Sequence, residues 1–259
     1  MHQSSFREIE QIYGEKGLFK PGSWKAQSDI KFSPQDAQAV YRLLQTAGIV
    51  PPPDQDIVFL SPTANRPTHE IAMWQEDIKT RQGFSSFTAG DLTIHPDYYQ
   101  MIPPSPDPSR YQFSIRQMNA STIDLPNHSV NTIWDRKGWI WHCARMETFR
   151  PEITDAFDVY ARVLQPGGSI VIDAMPGFRR DRRAINDRVG RSIDNDFQFH
   201  RPPRFTPADL YIRDNIGQYE ESTVDVLQTY TPTAWNEIQK RFQVRLLGDG
   251  KHQICVLTI

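Results

Sequence analysis

A chain of 259 residues, 38% hydrophobic and 23% charged, is long enough to build a stable core and has an ordinary soluble make-up, on the polar side. Its formal net charge of -2 argues against a bulk electrostatic binder of nucleic acid or membrane surface, while leaving room for a local patch. The two cysteines, Cys143 and Cys255, belong to no CxxC pair, which speaks against a disulfide framework or structural zinc and for a reducing compartment.

No apolar stretch of signal-peptide length lies between Met1 and Lys20, and no run of about 18 apolar residues occurs anywhere, so a cytoplasmic protein is expected. Residues 1–32 read as an N-terminal extension or lid, in which Tyr13, Phe19 and Trp24 argue against full disorder. Residues 33–259 are expected to form one α/β domain. It opens with a helix over 33–47, with Ser33 as N-cap, Pro34 at the first helical position and Val40, Leu43 and Leu44 as an apolar stripe. Pro51-Pro52-Pro53 ends that unit. Asp56 to Leu60 is then a short apolar run suited to a buried parallel strand. A helix over 67–81 sets Ile71, Trp74 and Ile78 on one face, and a strand at 84–89 closes in Gly90-Asp91-Leu92.

The cluster from Pro103 to Pro108 admits neither helix nor central strand and must be a loop. Strands follow at 112–118 and 130–134, then a helix over 151–164 carrying Ile153, Phe157, Tyr160 and Leu164. Gln165-Pro166-Gly167-Gly168 stops that helix ahead of a strand at 169–172. A helix near 232–241 and two strands, 242–247 and 252–259, complete the chain, the last two joined by Gly248-Asp249-Gly250 as a hairpin. Strands alternating with helices predict a Rossmann-like, doubly wound, mostly parallel sheet, with the C-terminal hairpin adding an antiparallel strand at its edge.

The run from Tyr160 through Leu164-Gln165-Pro166-Gly167-Gly168 to Ile172 resembles the helix, Leu-x-Pro-Gly-Gly turn and fifth strand of class I S-adenosylmethionine-dependent methyltransferases. The likeness spans roughly Asp56 to the C-terminus. It implies S-adenosylmethionine as cofactor, with Asp91 at the end of the second strand accepting from the two ribose hydroxyls. Met118-Asn119-Ala120 and Asp124-Leu125-Pro126 resemble the segment that contacts adenine, with Asn119 where the family usually has Asp; an Asn can both donate and accept there. Ile133-Trp134-Asp135-Arg136-Lys137-Gly138 resembles the fourth strand and the loop facing the methyl group, so Asp135 counts among the cofactor contacts as well. Asn131 lies near a position that is often acidic in the family.

The family's glycine-rich loop after the first strand lets backbone amides approach the cofactor's methionine portion. Here Ser61, Thr63 and Asn65 stand in place of the three glycines, and Phe59 in place of the usual acidic residue. Ser, Thr and Asn side chains can still cap a helix and bind a ligand, Pro67 suits the start of the next helix, and Arg66 can pair with the cofactor's carboxylate. The competing reading is an altered pocket on a non-catalytic scaffold that binds a protein partner. A nicotinamide enzyme is disfavoured, since no Gly-x-Gly-x-x-Gly follows any predicted strand.

Methyl transfer is an in-line displacement in which the protein chiefly positions two reactants. The candidates follow the fourth strand: Asp135 or His142 as base, and Arg136, Trp139 and Trp141 around an acceptor that is unidentified, a small molecule being the leading class. Core packing accounts for the tryptophans equally well, and a satisfied helix histidine for His142. The arginine-rich segment 178–204 is interleaved with Asp181, Asp187, Asp194 and Asp196, the pattern of a solvated helix, and no nucleic-acid-binding motif accompanies it. No metal site is expected, and the oligomeric state is open.

Overall fold

Apolar runs separated by helices become the parallel part of a seven-stranded sheet. The computed structural model of the chain describes residues 34–64, 66–92, 94–136, 138–140, 143, 152–173, 224, 227–228, 231–247 and 254–259. The expected lid at 1–32, Ser33, the arginine-rich segment 178–204 and the turn Gly248-Asp249-Gly250 lie outside them. In chain order the elements are α1 (Pro34–Thr46), β1 (Ile57–Ser61), α2 (Thr68–Asp77), β2 (Ser85–Asp91), a 3-10 turn (Pro96–Met101), β3 (Tyr111–Gln117), β4 (Val130–Arg136), α3 (Ile153–Val163), β5 (Leu164–Asp173), α4 (Pro232–Arg241), β6 (Gln243–Leu247) and β7 (Ile254–Thr258). No helix among the described residues is long and apolar enough to cross a membrane.

The strand order is β3-β2-β1-β4-β5-β7-β6. From β3 to β5 all neighbours are parallel, while β7 is antiparallel to both β5 and β6. The hairpin therefore differs from expectation in one respect. Both of its strands join the sheet, and the antiparallel one, β7, is internal, with β6 at the edge. The physical reason lies in the side chains: Ile254, Cys255, Val256 and Leu257 are all buried and suit a strand covered on both faces, whereas Gln243 and Arg245 of β6 are exposed and suit an edge.

Period-two alternation divides the core into two layers. Ile57 and Phe59 of β1, Val171 of β5 and Ile254 and Val256 of β7 pack beneath α1 and α2, through Tyr41, Leu44, Met73 and Trp74. Leu60, Ile170, Ile172, Cys255 and Leu257 face the opposite way, onto Phe157 and Tyr160 of α3 and Trp235 and Ile238 of α4. Phe59, where the resemblance expects an acid, is opposite Phe87 in the β1–β2 register and stacks on it at 4.5 Å. Such a pair adds about 1 kcal/mol beyond its burial.

The Gln165-Pro166-Gly167-Gly168 segment is more than a helix stop. Leu164 pairs with Val130 and Ser169 with Thr132, so four residues bulge opposite Asn131 alone. Gly167 takes φ +79, and a Cβ on Gly168 would lie 2.8 Å from the Gln165 carbonyl oxygen and 2.9 Å from that of Asn131. Asn131 itself ties three strands: its Oδ1 accepts from the Val58 amide (2.6 Å) and its Nδ2 donates to Gln165 Oε1 (2.9 Å). It sits at the start of β4, the end of the sheet away from the candidate site.

At that same end is a buried ionic cluster. Asp77 accepts from Tyr41 Oη (2.7 Å), Ser85 Oγ (2.7 Å) and Arg81 Nη2 (2.7 Å), and Arg81 Nη1 donates to the carbonyls of Pro51, Pro52 and Gln55. These bonds lock the chain entering β1 and β2 to the end of α2.

Candidate functional site

The strand order reverses beside β1: β2 and β3 lie on one side, β4 and β5 on the other. In open α/β sheets the crevice at such a switch point, outside the carboxyl ends of the strands, is where ligands bind. Ser61, Asp91, Gln117 and Arg136 end β1 to β4 there. Of the expected site residues, Ser61, Thr63, Arg66, Asp91, Asn119, Ala120, Asp135, Arg136 and Trp139 fall on this edge. Asn65, Lys137, Trp141 and His142 lie outside the described residues.

The loop after β1 crosses toward β2, where the Ala64 amide donates to the Gly90 carbonyl (2.7 Å). Ser61 is buried and its Oγ donates to Glu70 Oε1 (2.9 Å), joining the end of β1 to the first turn of α2. Glu70 is three residues past the N-cap, Pro67. An acid there normally reaches back to the N-cap amide. Proline has none, so Glu70 accepts from its own backbone N–H and from Ser61, and Glu70 Oε2 is buried without a partner. Burial pushes the Glu70 carboxyl up to about 8, against the lowering influence of those two bonds and of Arg136; Asp91 raises it a little further. Sequence reasoning missed Glu70. Its only signal was an acid in the first turn of a helix, which is ordinary.

Two more buried polar atoms on this edge lack partners: Thr63 Oγ1 and Asn119 Nδ2. Asn119 forms an Asx turn, in which Oδ1 accepts from the Ser121 amide (2.9 Å) and hydroxyl (2.8 Å). Because a backbone amide only donates, this bond fixes which end of the Asn119 amide is oxygen. The acceptor is spent, and Asn119 presents a donor. Arg162 of α3 holds the following segment, donating to the carbonyls of Ile123 and Leu125 and to Asn127 Oδ1. Asp91 is partly exposed and close enough to Tyr98 to raise its phenol, after burial, while Arg66 acts in the opposite sense.

Asp135 is fully buried. Its Oδ1 accepts from the Gly138 amide (2.9 Å), and Oδ2 from the Ile140 amide (3.2 Å) and Tyr160 Oη (2.7 Å). Burial pushes its carboxyl up, and the Tyr160 hydroxyl and the amides pull it back. Both oxygens are thus committed to holding the turn after β4. Trp139 is 4% exposed and belongs to the core layer under α3. A Cβ on Gly138 would collide with Thr63 Oγ1 and Asp135 Oδ1, so the loops after β1 and β4 meet at this glycine. Gly138→Ala is expected to destabilise the chain by about 1–3 kcal/mol. Chemical denaturation measures this, and an unchanged midpoint would mean the two loops are not in contact.

No family model and no curated protein matches the chain. Among solved structures it is similar to the CurJ carbon methyltransferase, at 12% identity and a TM-score of 0.50, over 99% of this chain and 58% of that longer one. It also matches the 1,6-didemethyltoxoflavin-N1-methyltransferase of Burkholderia thailandensis, solved with 1,6-didemethyltoxoflavin and S-adenosylhomocysteine bound, at 12% identity over 100% of this chain and 91% of that one (TM-score 0.49). An O-methyltransferase family protein from the same organism matches at 12% identity over 98% and 70% (TM-score 0.45). With its strand order and internal antiparallel strand, the chain has the fold of class I S-adenosylmethionine-dependent methyltransferases.

Proposed function

We propose that the chain is an S-adenosylmethionine-dependent methyltransferase acting on a small molecule. The observation that supports this most is the set of buried polar atoms without protein partners, Glu70 Oε2, Thr63 Oγ1 and Asn119 Nδ2, gathered at the carboxyl edge of a class I methyltransferase fold. Buried polar atoms are nearly always paired. Thr132 Oγ1 and the ring N–H groups of Trp74, Trp134 and Trp235 are exceptions inside the core, whereas these three lie at the switch point, where ligands of open α/β sheets bind.

The donor set fits the cofactor. The Asp91 carboxylate is suited to the two ribose hydroxyls, and the Asn119 donor, with Ala120 beside it, to a ring nitrogen of adenine. Ser61, Thr63 and Arg66 frame the amino-acid portion, and Asn65, between them in sequence, stays a candidate contact. The bound cofactor supplies an electrophilic methyl carbon on a sulfonium, and the protein's task is alignment and exclusion of water. Asp135 acts as a positioning residue: its carboxylate orders the turn that carries Arg136 toward the acceptor. His142 and Trp141 follow that turn in sequence and remain the candidates for base and acceptor wall.

Calorimetric titration with S-adenosylhomocysteine tests the reading. Wild-type chain is expected to bind, and Asp91→Ala to lose about 100-fold or more in affinity, as two charge-assisted hydrogen bonds are removed. A folded wild-type chain that binds nothing would leave the non-catalytic scaffold as the better account.

A further inference from the structure

Glu70 stands out once the methyltransferase reading, on which this step rests, is in place. It is 3% exposed, and one of its two oxygens has no partner. Leaving a buried carboxyl oxygen unpaired is costly whether the group is neutral or ionised. The groups that face Glu70 come from every strand end around it: the Ser61 hydroxyl from β1, Asp91 from β2 and Arg136 from β4. With Glu70 neutral, Arg136 and Asp91 offset one another, and ionising Glu70 adds one uncompensated negative charge. The ionised form needs a hydrogen-bond donor at Oε2, and a cationic donor supplies both the bond and the compensating charge. Strand β1 offers no carboxylate of its own, since Phe59 is stacked into the core on Phe87.

We propose that Glu70, from helix α2, receives the α-ammonium group of the cofactor's amino-acid portion, and that loading the site expels one proton from this carboxyl to solvent. The balance is simple. A neutral carboxylic acid and an ammonium ion become a carboxylate–ammonium pair, and the released proton goes to buffer. Burial, which keeps Glu70 protonated up to about 8 in the free chain, makes that release measurable near neutral pH. Below that value, affinity for an ammonium-bearing ligand rises up to about tenfold for each unit of pH.

The test is calorimetry on the full chain with two ligands, S-adenosylhomocysteine and 5′-methylthioadenosine, which lacks the amino-acid portion. Each is titrated into wild type and Glu70→Gln at pH 6.5 and 8, in two buffers of different ionisation enthalpy. Glu70→Gln is expected to weaken S-adenosylhomocysteine by about 10- to 100-fold and to leave 5′-methylthioadenosine unchanged. The wild type should release close to one proton with the first ligand at pH 6.5, about half as much at pH 8, and none with the second ligand, a result that stands even if the variant folds poorly. Equal losses for both ligands, or no proton release, would overturn the role of Glu70 while leaving the methyltransferase reading intact. Failure of wild type to bind either ligand would overturn the reading itself.

Discussion

Asp77→Ala is expected to destabilise the chain by about 3–5 kcal/mol, the scale for removing one partner of a buried ion pair. For a chain of this size that lowers the melting temperature by roughly 10 °C. Both Asp77 and Arg81 side chains are 0% exposed. Removing the carboxylate leaves the guanidinium with only carbonyl dipoles, those of Pro51, Pro52 and Gln55, and strands the Tyr41 and Ser85 hydroxyls. Arg81→Ala leaves the carboxylate with two hydroxyl donors and frees the carbonyls ahead of β1. The double variant Asp77→Ala/Arg81→Ala should lose less than the sum of the singles, because neither charge is then left alone. Urea unfolding of the three variants decides it: a loss under about 1 kcal/mol for Asp77→Ala would mean the pair is solvated. The cluster is at the opposite end of the sheet from Asp91, so ligand affinity of the folded variants should be unaltered.

What could be read from the sequence was what local periodicity and turn chemistry encode. The apolar runs at Ile57–Leu60 and Ser169–Ile172, the helical stripe through Phe157 and Tyr160, and Pro34 at a helix start each carry their own signal. Long-range placement did not. That β7 rather than β6 pairs with β5 depends on comparing the burial of two apolar strands, and both precede or follow the same turn. The bulge of Gln165 to Gly168 opposite Asn131 requires knowing which strand is beside β5. The carboxyl edge was legible where a residue's position in a strand implied its end, as for Asp91 at the end of β2. It was illegible where a side chain's partner is distant in sequence. Asp135 looked reactive after a strand end, yet its oxygens are taken by Gly138, Ile140 and Tyr160. Glu70 looked like an ordinary first-turn acid, and only the pairing of Ser61 with it, and the missing amide of Pro67, set it apart.

Glu70→Gln is expected to stabilise the unliganded chain above pH 8, the reverse of what replacing a buried, hydrogen-bonded side chain usually does. Burial raises this carboxyl from 4.5 to about 8. A group with a raised folded value contributes its full stability below the unfolded value. That contribution is lost as pH rises from about 4.5 through about 8, because the unfolded chain releases its proton first. The loss over this window is on the order of 5 kcal/mol. Glutamine has the same shape, can keep the bond to Ser61 Oγ, and titrates nowhere. Melting temperatures of the two proteins should therefore be similar near pH 5.5 and diverge toward pH 8.5, with wild type falling below the variant. Parallel curves would show that Glu70 ionises freely, and would remove the reason for proton release on ligand binding. Divergence together with weakened S-adenosylhomocysteine binding would mean that one carboxyl destabilises the empty fold and supports the occupied one, the signature of a residue kept for a ligand rather than for the core.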